Sequence, residues 1–198
     1  MGIRKQRGAA LFIALILLVG MTMIGLSSMS SSILQEKMAS NYRQEDLAFQ
    51  AAASAMRWGE FWLLGRRARP EPSNCMLDAA AGCSPANDAV LAKDSFTETP
   101  PETLPVGWWQ ASARQYGKLY EDWGNASAGT EWPLPNLADQ PRHVIEEMAR
   151  VKFGSGLEGQ DMVQNYIFVY RVAAAGVGEV NTGHAVVESH FIRRYGSN

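Results

Sequence analysis

The chain has 198 residues, 46% of them hydrophobic, and carries 18 basic against 20 acidic side chains, a net charge of −2 at pH 7. Without a leader and a membrane segment, this length leaves roughly one globular domain. The slightly acidic balance excludes a nucleic-acid-binding surface built on an excess of basic side chains.

The N-terminus combines a short basic segment with an apolar segment of membrane-spanning length. Three basic residues precede Gly8, and residues 9–26 carry no charge. As a helix, those eighteen residues span roughly 27 Å, close to the hydrocarbon thickness of a bilayer. We predict a transmembrane helix over residues 9–30, with a buried helix of a soluble domain as the alternative. The basic end predicts a cytoplasmic N-terminus and an exported remainder.

The position of Gly8 indicates where the chain is cut. An ordinary secretory signal carries its cleavage site after the apolar stretch. Here the serine-rich residues 27–32 follow that stretch without an Ala-x-Ala-like site. Cleavage is therefore expected to remove the basic leader, residues 1–8, and to leave the apolar helix on the mature protein.

Two glycines, Gly20 and Gly25, interrupt the apolar segment. In a soluble helix each would cost about 1 kcal/mol relative to alanine. In lipid they permit close packing against another helix, or they mark a place where the helix loosens locally. We adopt the packing interpretation.

The helix is predicted to continue beyond the membrane. Residues 33–64 contain no proline and only one glycine, Gly59, and their apolar side chains recur at helical spacing. Gly65, three arginines that suit the helix dipole, and Pro70 then end the helix. Residues 31–64 should form an exported amphipathic helix, followed by a head domain of residues 65–198.

Two short sequences on this helix resemble a known family. Glu36–Tyr42 (EKMASNY) and Leu47–Ala52 (LAFQAA), with the basic leader and the apolar helix, are similar to the PilX-type minor pilins of type IV pili. The resemblance covers residues 4–58 and continues weakly in Pro141–Glu146 and Arg193–Arg194. The leader and apolar helix alone are shared by all type IV pilins and by type II secretion pseudopilins.

The resemblance implies an α+β, type IV pilin-like fold, in which the long N-terminal helix packs on a C-terminal antiparallel β-sheet head. It implies cleavage by prepilin peptidase between Gly8 and Ala9, methylation of the Ala9 amino group, and assembly by helix bundling. Most of these proteins have phenylalanine where this chain has Ala9, a difference that concerns cleavage efficiency and not the site.

The implied partners are other minor pilins, the major pilin, a tip adhesin-like protein, prepilin peptidase and the inner-membrane assembly platform. No cofactor and no nucleic acid are expected. Before assembly the protein would cross the bacterial inner membrane once with a periplasmic head, and after assembly it would lie in the extracellular pilus.

One departure from the family pattern concerns Ile13. Most pilins have a glutamate five residues into the mature chain, where it pairs with the N-terminus of the preceding subunit; an unpaired carboxylate in lipid is costly. Ile13 cannot form that pair and is expected to serve helix packing, which disfavours a repeating shaft unit and fits a filament tip. The implied function is a minor pilin that helps initiate pilus assembly in a tip complex, supporting adhesion and twitching motility.

Residues 65–142 show no sustained periodicity, but they contain both cysteines and a group of aromatic residues. In an exported domain Cys75 and Cys83 predict a disulfide, with two free thiols or half a metal site as alternatives. Aromatic side chains more often form the core of a loop-rich region than a surface for sugar or a partner. We predict core for this set: Trp108, Trp109, Tyr116, Tyr120, Trp123 and Trp132.

The C-terminal third shows strand periodicity. Residues 163–175 and 185–195 alternate in polarity and flank a glycine-rich connection that includes Gly176, which predicts an antiparallel pair. Residues 142–151 fit strand and helix equally by spacing, and the family resemblance favours strand. Such a sheet would pack its apolar face on the exported half of the helix.

The sequence offers no catalytic constellation. No histidine lies beside a serine or cysteine in a nucleophile setting, and no phosphate-binding loop is present. His184, Glu188 and His190 share one strand face and could hold a metal only if the chain bends between them; we predict a solvated face. The protein is therefore expected not to be an enzyme. The alternatives are a K-type pseudopilin of type II secretion, which usually has a larger head, and a membrane-anchored exported enzyme or receptor.

Overall fold

A computed structural model of the chain describes residues 7–73, 90–117, 132–152, 166–180 and 183–195, with side chains from residue 10 onward. The chain forms two compact units, residues 1–43 and 44–198. Helix α1 runs from Arg7 to Gly65 and contributes to both units. The predicted continuation of the apolar helix as one long helix is confirmed; the export of its second half stays a prediction.

The second unit adds a short helix and a four-stranded sheet to the end of α1. After a 3-10 turn at Pro101–Thr103, the elements are α2 (Val106–Ser112), β1 (Arg114–Gln115), β2 (Arg142–Lys152), β3 (Tyr166–Val177) and β4 (His184–Arg194). The strands are antiparallel and lie in the order β1-β2-β3-β4. The predicted β3–β4 pair and the strand at residues 142–151 are confirmed.

The sheet is a middle layer with a core on each side. One face meets α1, where Trp62 and Leu63 pack against a buried row from β2, β3 and the chain end: Ile145, Phe168, Tyr170, Val172 and Tyr195. The other face is covered by residues 91–113, with Trp109 packed against Val144 and Ala173. Alternation along β3 therefore supplies both cores, because successive side chains point to opposite faces.

The aromatic set predicted as core has a mixed outcome. Trp109 is buried and Trp108 packs against the second core, as predicted. Trp132 is 51% exposed, so the prediction is wrong for that residue. It lies beside Trp58 of α1, with ring centroids 6.1 Å apart. Tyr120 and Trp123 lie outside the described residues.

The placement of Gly176 in a loop is corrected by the structure, which puts it inside β3. A Cβ there would lie 2.6 Å from the Ala52 nitrogen and still closer to the Ala48 oxygen. Glycine is therefore required by the close approach of the strand to the helix backbone, and not by a turn. Gly178 makes a similar approach, because a Cβ there would lie 2.7 Å from the backbone carbonyl oxygen of Gln44. These glycines and the buried alanines of α1 form one close-packed seam, which we call the glycine–alanine seam.

Replacing Gly176 by alanine should destabilise the head by about 1–3 kcal/mol, because the added methyl group meets helix backbone that cannot rotate away. Thermal unfolding of the purified protein measures this effect. Gly107→Ala in α2 is the control: nothing lies within 4 Å of its Cβ position, so alanine should be neutral or slightly stabilising. An unchanged unfolding temperature for Gly176→Ala would contradict the seam.

A buried histidine lies between α1 and the sheet. His143 is 1% exposed, and a Cβ on Gly59 would lie 3.0 Å from its Cδ2 atom. Burial, and then the positive charge of Arg114, lower the pKa of His143 to about 3. The imidazole is thus neutral in the folded head.

We expect the free energy of unfolding to decrease on acidification through His143. The unfolded chain binds a proton there near pH 6.5, whereas the folded chain binds it only near pH 3. The neutral His143 therefore contributes on the order of a few kcal/mol to the free energy of unfolding. This contribution is complete above pH 6.5 and is lost as the pH falls towards 3. Denaturant unfolding from pH 8 to pH 4 measures it.

His143→Gln should flatten this pH dependence even if its overall stability is lower. His190→Gln is the matched control, since His190 is exposed on β4, and it should leave the slope unchanged. An equal slope in wild type and His143→Gln would assign the acid sensitivity to other groups.

Candidate functional site: the exposed apolar helix

The first unit presents an apolar surface that the described part of the chain does not cover. Every described side chain from residue 10 to residue 43 is exposed, and the large apolar ones between Leu11 and Tyr42 are 46–77% exposed. A helix that is apolar all round is normally buried in a large core or in lipid. This surface therefore needs a cover that the described residues do not supply.

One described helix is long and apolar enough to cross a membrane, and its apolar window is entirely unburied within the chain. The alternative of a core helix in a soluble domain does not describe this arrangement, because a core helix would be covered by its own domain. Ile13, at 58% exposed, is part of the same uncovered surface.

Hydroxyl groups in this helix bond to its own backbone. The Thr22 hydroxyl donates to the Val19 carbonyl at 2.8 Å, and the Ser30 hydroxyl donates to the Leu26 carbonyl at 3.1 Å. Each of these bonds satisfies a hydroxyl donor with a carbonyl of the same helix. A lipid environment requires this, because it offers no water as an alternative partner. The helix can therefore enter an apolar environment without leaving these two donors unsatisfied.

The other predicted site residues are placed as follows. Gly20 and Gly25 have no atom within 4 Å of their Cβ positions, so nothing within the described chain requires glycine there. Gly8 lies in α1, but its surroundings, like the side chain of Ala9, are outside the description. Cys75 and Cys83 lie outside the described residues, and their disulfide stays a prediction.

The burial of α1 changes at Gln44. From there on the helix is amphipathic, with Gln44, Ala48, Ala52 and Ala55 all no more than 8% exposed. The Gln44 side-chain oxygen accepts a hydrogen bond from the Val180 amide at 3.1 Å. Within the second unit, the sheet and the segment after β3 thus pack against this part of the helix through small residues and backbone groups.

Arginine side chains fasten the C-terminal end of α1 to the sheet. The Arg193 guanidinium of β4 donates to the carbonyl oxygens of Leu63, in the last turn of the helix, and of Arg66, just beyond its end. Arg69, just beyond the helix, makes two bonds to the Glu147 carboxylate at 2.8 and 2.9 Å. This carboxylate raises the pKa of Arg69.

A second ion pair joins β2 and β3. Arg171 donates to the Glu146 carboxylate at 2.5 and 2.9 Å, and Glu146 is 2% exposed. Sequence reasoning missed the roles of Glu146 and Arg193, although both lie in the weakly matching Pro141–Glu146 and Arg193–Arg194 segments. One signal was available: adjacent Glu146 and Glu147 point to opposite faces of a two-sided sheet, so each needs a partner.

The histidines do not form a site with their neighbours in the described part of the chain. His184, Glu188 and His190 lie exposed on β4, opposite Val177, Ala173 and Arg171 of β3. Although part of the Glu188 side chain is exposed, partial burial of its carboxyl group raises the pKa of Glu188. The positive charge of Arg171 partly opposes this rise. Among the described residues no group of three His, Cys, Asp or Glu side chains is arranged to hold a metal ion.

Comparison with known families gives two matches that together span most of the chain. Residues 7–57 match the family model described as PilX N-terminal. Residues 73–193 match the model described as type IV pilus assembly protein PilX C-term. Comparisons with curated proteins and with solved structures gave no significant match.

We expect residues 44–198 to stay soluble and monomeric in detergent-free buffer, because that unit buries its own core. The full chain should associate or precipitate under the same conditions, because its first unit exposes apolar residues on every side. Size-exclusion chromatography with light scattering measures both. A full chain that is monomeric without detergent would contradict the exposed-helix description.

Proposed function

This chain belongs to the PilX family of type IV pilus assembly proteins, and we propose that, as a PilX-type minor pilin, it helps initiate assembly at the tip of the pilus. The observation that carries the proposal is the helix of residues 10–43, whose described side chains are all exposed and whose first part, residues 10–26, carries no charge and is largely apolar. A surface of this kind supports two successive environments, a lipid bilayer before assembly and a bundle of other pilin helices afterwards.

The transfer between those environments costs little, because lipid tails and apolar side chains are similar in polarity. Association of helices in such a setting depends on close packing, to which small residues contribute most. The open positions of Gly20 and Gly25 suit a neighbouring helix at short distance. The partners would be other minor pilins, the major pilin and a tip adhesin-like protein, with the inner-membrane assembly platform driving the transfer.

Processing at Gly8 would prepare the helix for this role. We propose that prepilin peptidase cuts between Gly8 and Ala9 and that the Ala9 amino group is then methylated. Removing residues 1–8 takes away three cations that would hold the N-terminus at the cytoplasmic surface. In the oxidising periplasm the Cys75–Cys83 disulfide would then close a short loop of the head.

The tip position rests on Ile13. An apolar residue there cannot pair with the charged N-terminus of a subunit ahead of it, and at the end of the filament no such subunit exists. The rest of the apolar surface is retained, so contact with subunits behind remains available. Adhesion and twitching motility would follow from the position at the tip. No catalytic role is proposed.

Gly8→Leu should leave the protein at full length in the inner membrane, because a bulky residue before the cut blocks the peptidase. Mass spectrometry of the membrane fraction distinguishes the full-length form from the cleaved form by the mass of residues 1–8. Gly20→Ala is the control and should be processed normally, because its site has open space. Normal processing of Gly8→Leu would refute the leader assignment.

Ile13→Glu should preserve pilus initiation and allow the subunit to enter the shaft, because the new carboxylate can pair with a neighbouring N-terminus. Quantitative mass spectrometry of sheared pili should show more copies per filament than wild type, with Ile13→Leu unchanged. Loss of pili in Ile13→Glu would contradict the tip assignment while leaving the family membership intact.

A further inference from the structure

The two edges of the sheet differ in how they are closed. Next to β2, β1 pairs Arg114 with His143, and Leu91 exchanges backbone hydrogen bonds with Ile145 and Glu147 at 2.7 and 2.9 Å. β2 also carries a register irregularity between Glu147 and Ala149. Coverage and bulges are the usual means by which a sheet edge is protected from pairing. This edge is therefore largely closed.

In the described part of the chain, the other edge, β4, has neither a covering segment nor a bulge. Its eleven residues pair with β3 without a break, from His184 opposite Val177 to Arg194 opposite Ile167. The strand contains no proline, glycine or lysine. Among the described residues, no backbone hydrogen bond reaches its outer side. Every second residue of β4 thus directs an N–H and a C=O group outward.

The side chains of β4 suit a further strand. Ile192 is 65% exposed, and Val186, Val187 and Phe191 are only partly buried. Arg194 ends the exposed row and has no ion-pair partner among the described residues. β-branched and aromatic residues are those that pair best across strands. The row therefore favours a partner strand with apolar residues opposite Val186 and Ile192 and a carboxylate opposite Arg194.

We propose that β4 is a docking edge that accepts an extended strand from a different exported protein, so that the head's sheet continues into its partner. The main-chain groups define the chemistry, because only an extended backbone satisfies a row of alternating donors and acceptors. The identity of the partner, a companion subunit of the pilus, rests on the proposed function. The mode of contact, strand pairing, does not.

A second copy of this chain is a poor occupant. In an antiparallel pair of two fully overlapping β4 strands, Arg194 would lie opposite His184. The second copy would then not supply the carboxylate that the row favours opposite Arg194.

The test places a photo-crosslinking amino acid in the full-length chain, in cells that assemble pili. The probe replaces His190, Ile192 or Arg194 on β4, or Lys93 as an exposed control outside the sheet. Strand pairing predicts adducts to one partner from all three β4 positions and none from Lys93. Peptide mapping should place the attachment points in steps of two residues along one extended segment. Adducts that scatter over the partner surface, adducts to a second copy, or no adducts in piliated cells would overturn the proposal.

Ile192→Lys supplies the second variant, since a charged residue on an open edge opposes pairing. With the probe at His190, it should reduce the adduct yield about tenfold, equivalent to a loss of about 1.4 kcal/mol in affinity. Val151→Lys, at a site 54% exposed on β2, should leave the yield unchanged, and neither change should alter the unfolding temperature. Equal yields in the two variants would contradict strand pairing.

Recovery of the chain in sheared pili separates the two claims. A chain that is present in pili but gives no stepped adducts disproves only the docking edge. A chain that gives stepped adducts but is absent from pili disproves only the pilus assignment.

Discussion

The structure depends on one constraint: the first part of α1 has an apolar surface that no other described part of the chain buries. Its backbone is hydrogen-bonded within the helix, and the Thr22 and Ser30 hydroxyls use the same backbone. The segment is therefore stable in any apolar environment and unstable in water. Membrane insertion and helix bundling are two ways of covering it, and the proposed function uses the first before assembly and the second afterwards.

The head binds the continuation of this helix, from Gln44 to Gly65, at both of its ends. The glycine–alanine seam brings β3 against α1 near Ala48, and Arg193 and Arg69 fasten the far end. Small residues permit the close approach, and charged residues fix the end point. No described residue pairs with the outer side of β4, so the strand that holds the end of the helix is also the proposed docking edge.

Much of this architecture could be predicted from the sequence, because it follows from local periodicity. The absence of proline between residues 33 and 64 predicted the long helix, and alternation predicted β3 and β4. For residues 142–151 two periods fitted equally, and the family resemblance decided correctly for strand. Gly176 shows the limit: glycine signals a turn in the sequence, but here it is required by a helix distant along the chain. The exposure of Trp132 and the partners of Glu146 likewise depend on contacts that only the folded chain defines.

The central claim is that the apolar helix is retained after export and covered by lipid or by sister helices. Determining the intact mass of the protein recovered from sheared filaments tests this most directly. The account predicts a chain that begins at Ala9 and carries one added methyl group. A filament form that still contains Met1, or that starts beyond Leu26, would contradict it.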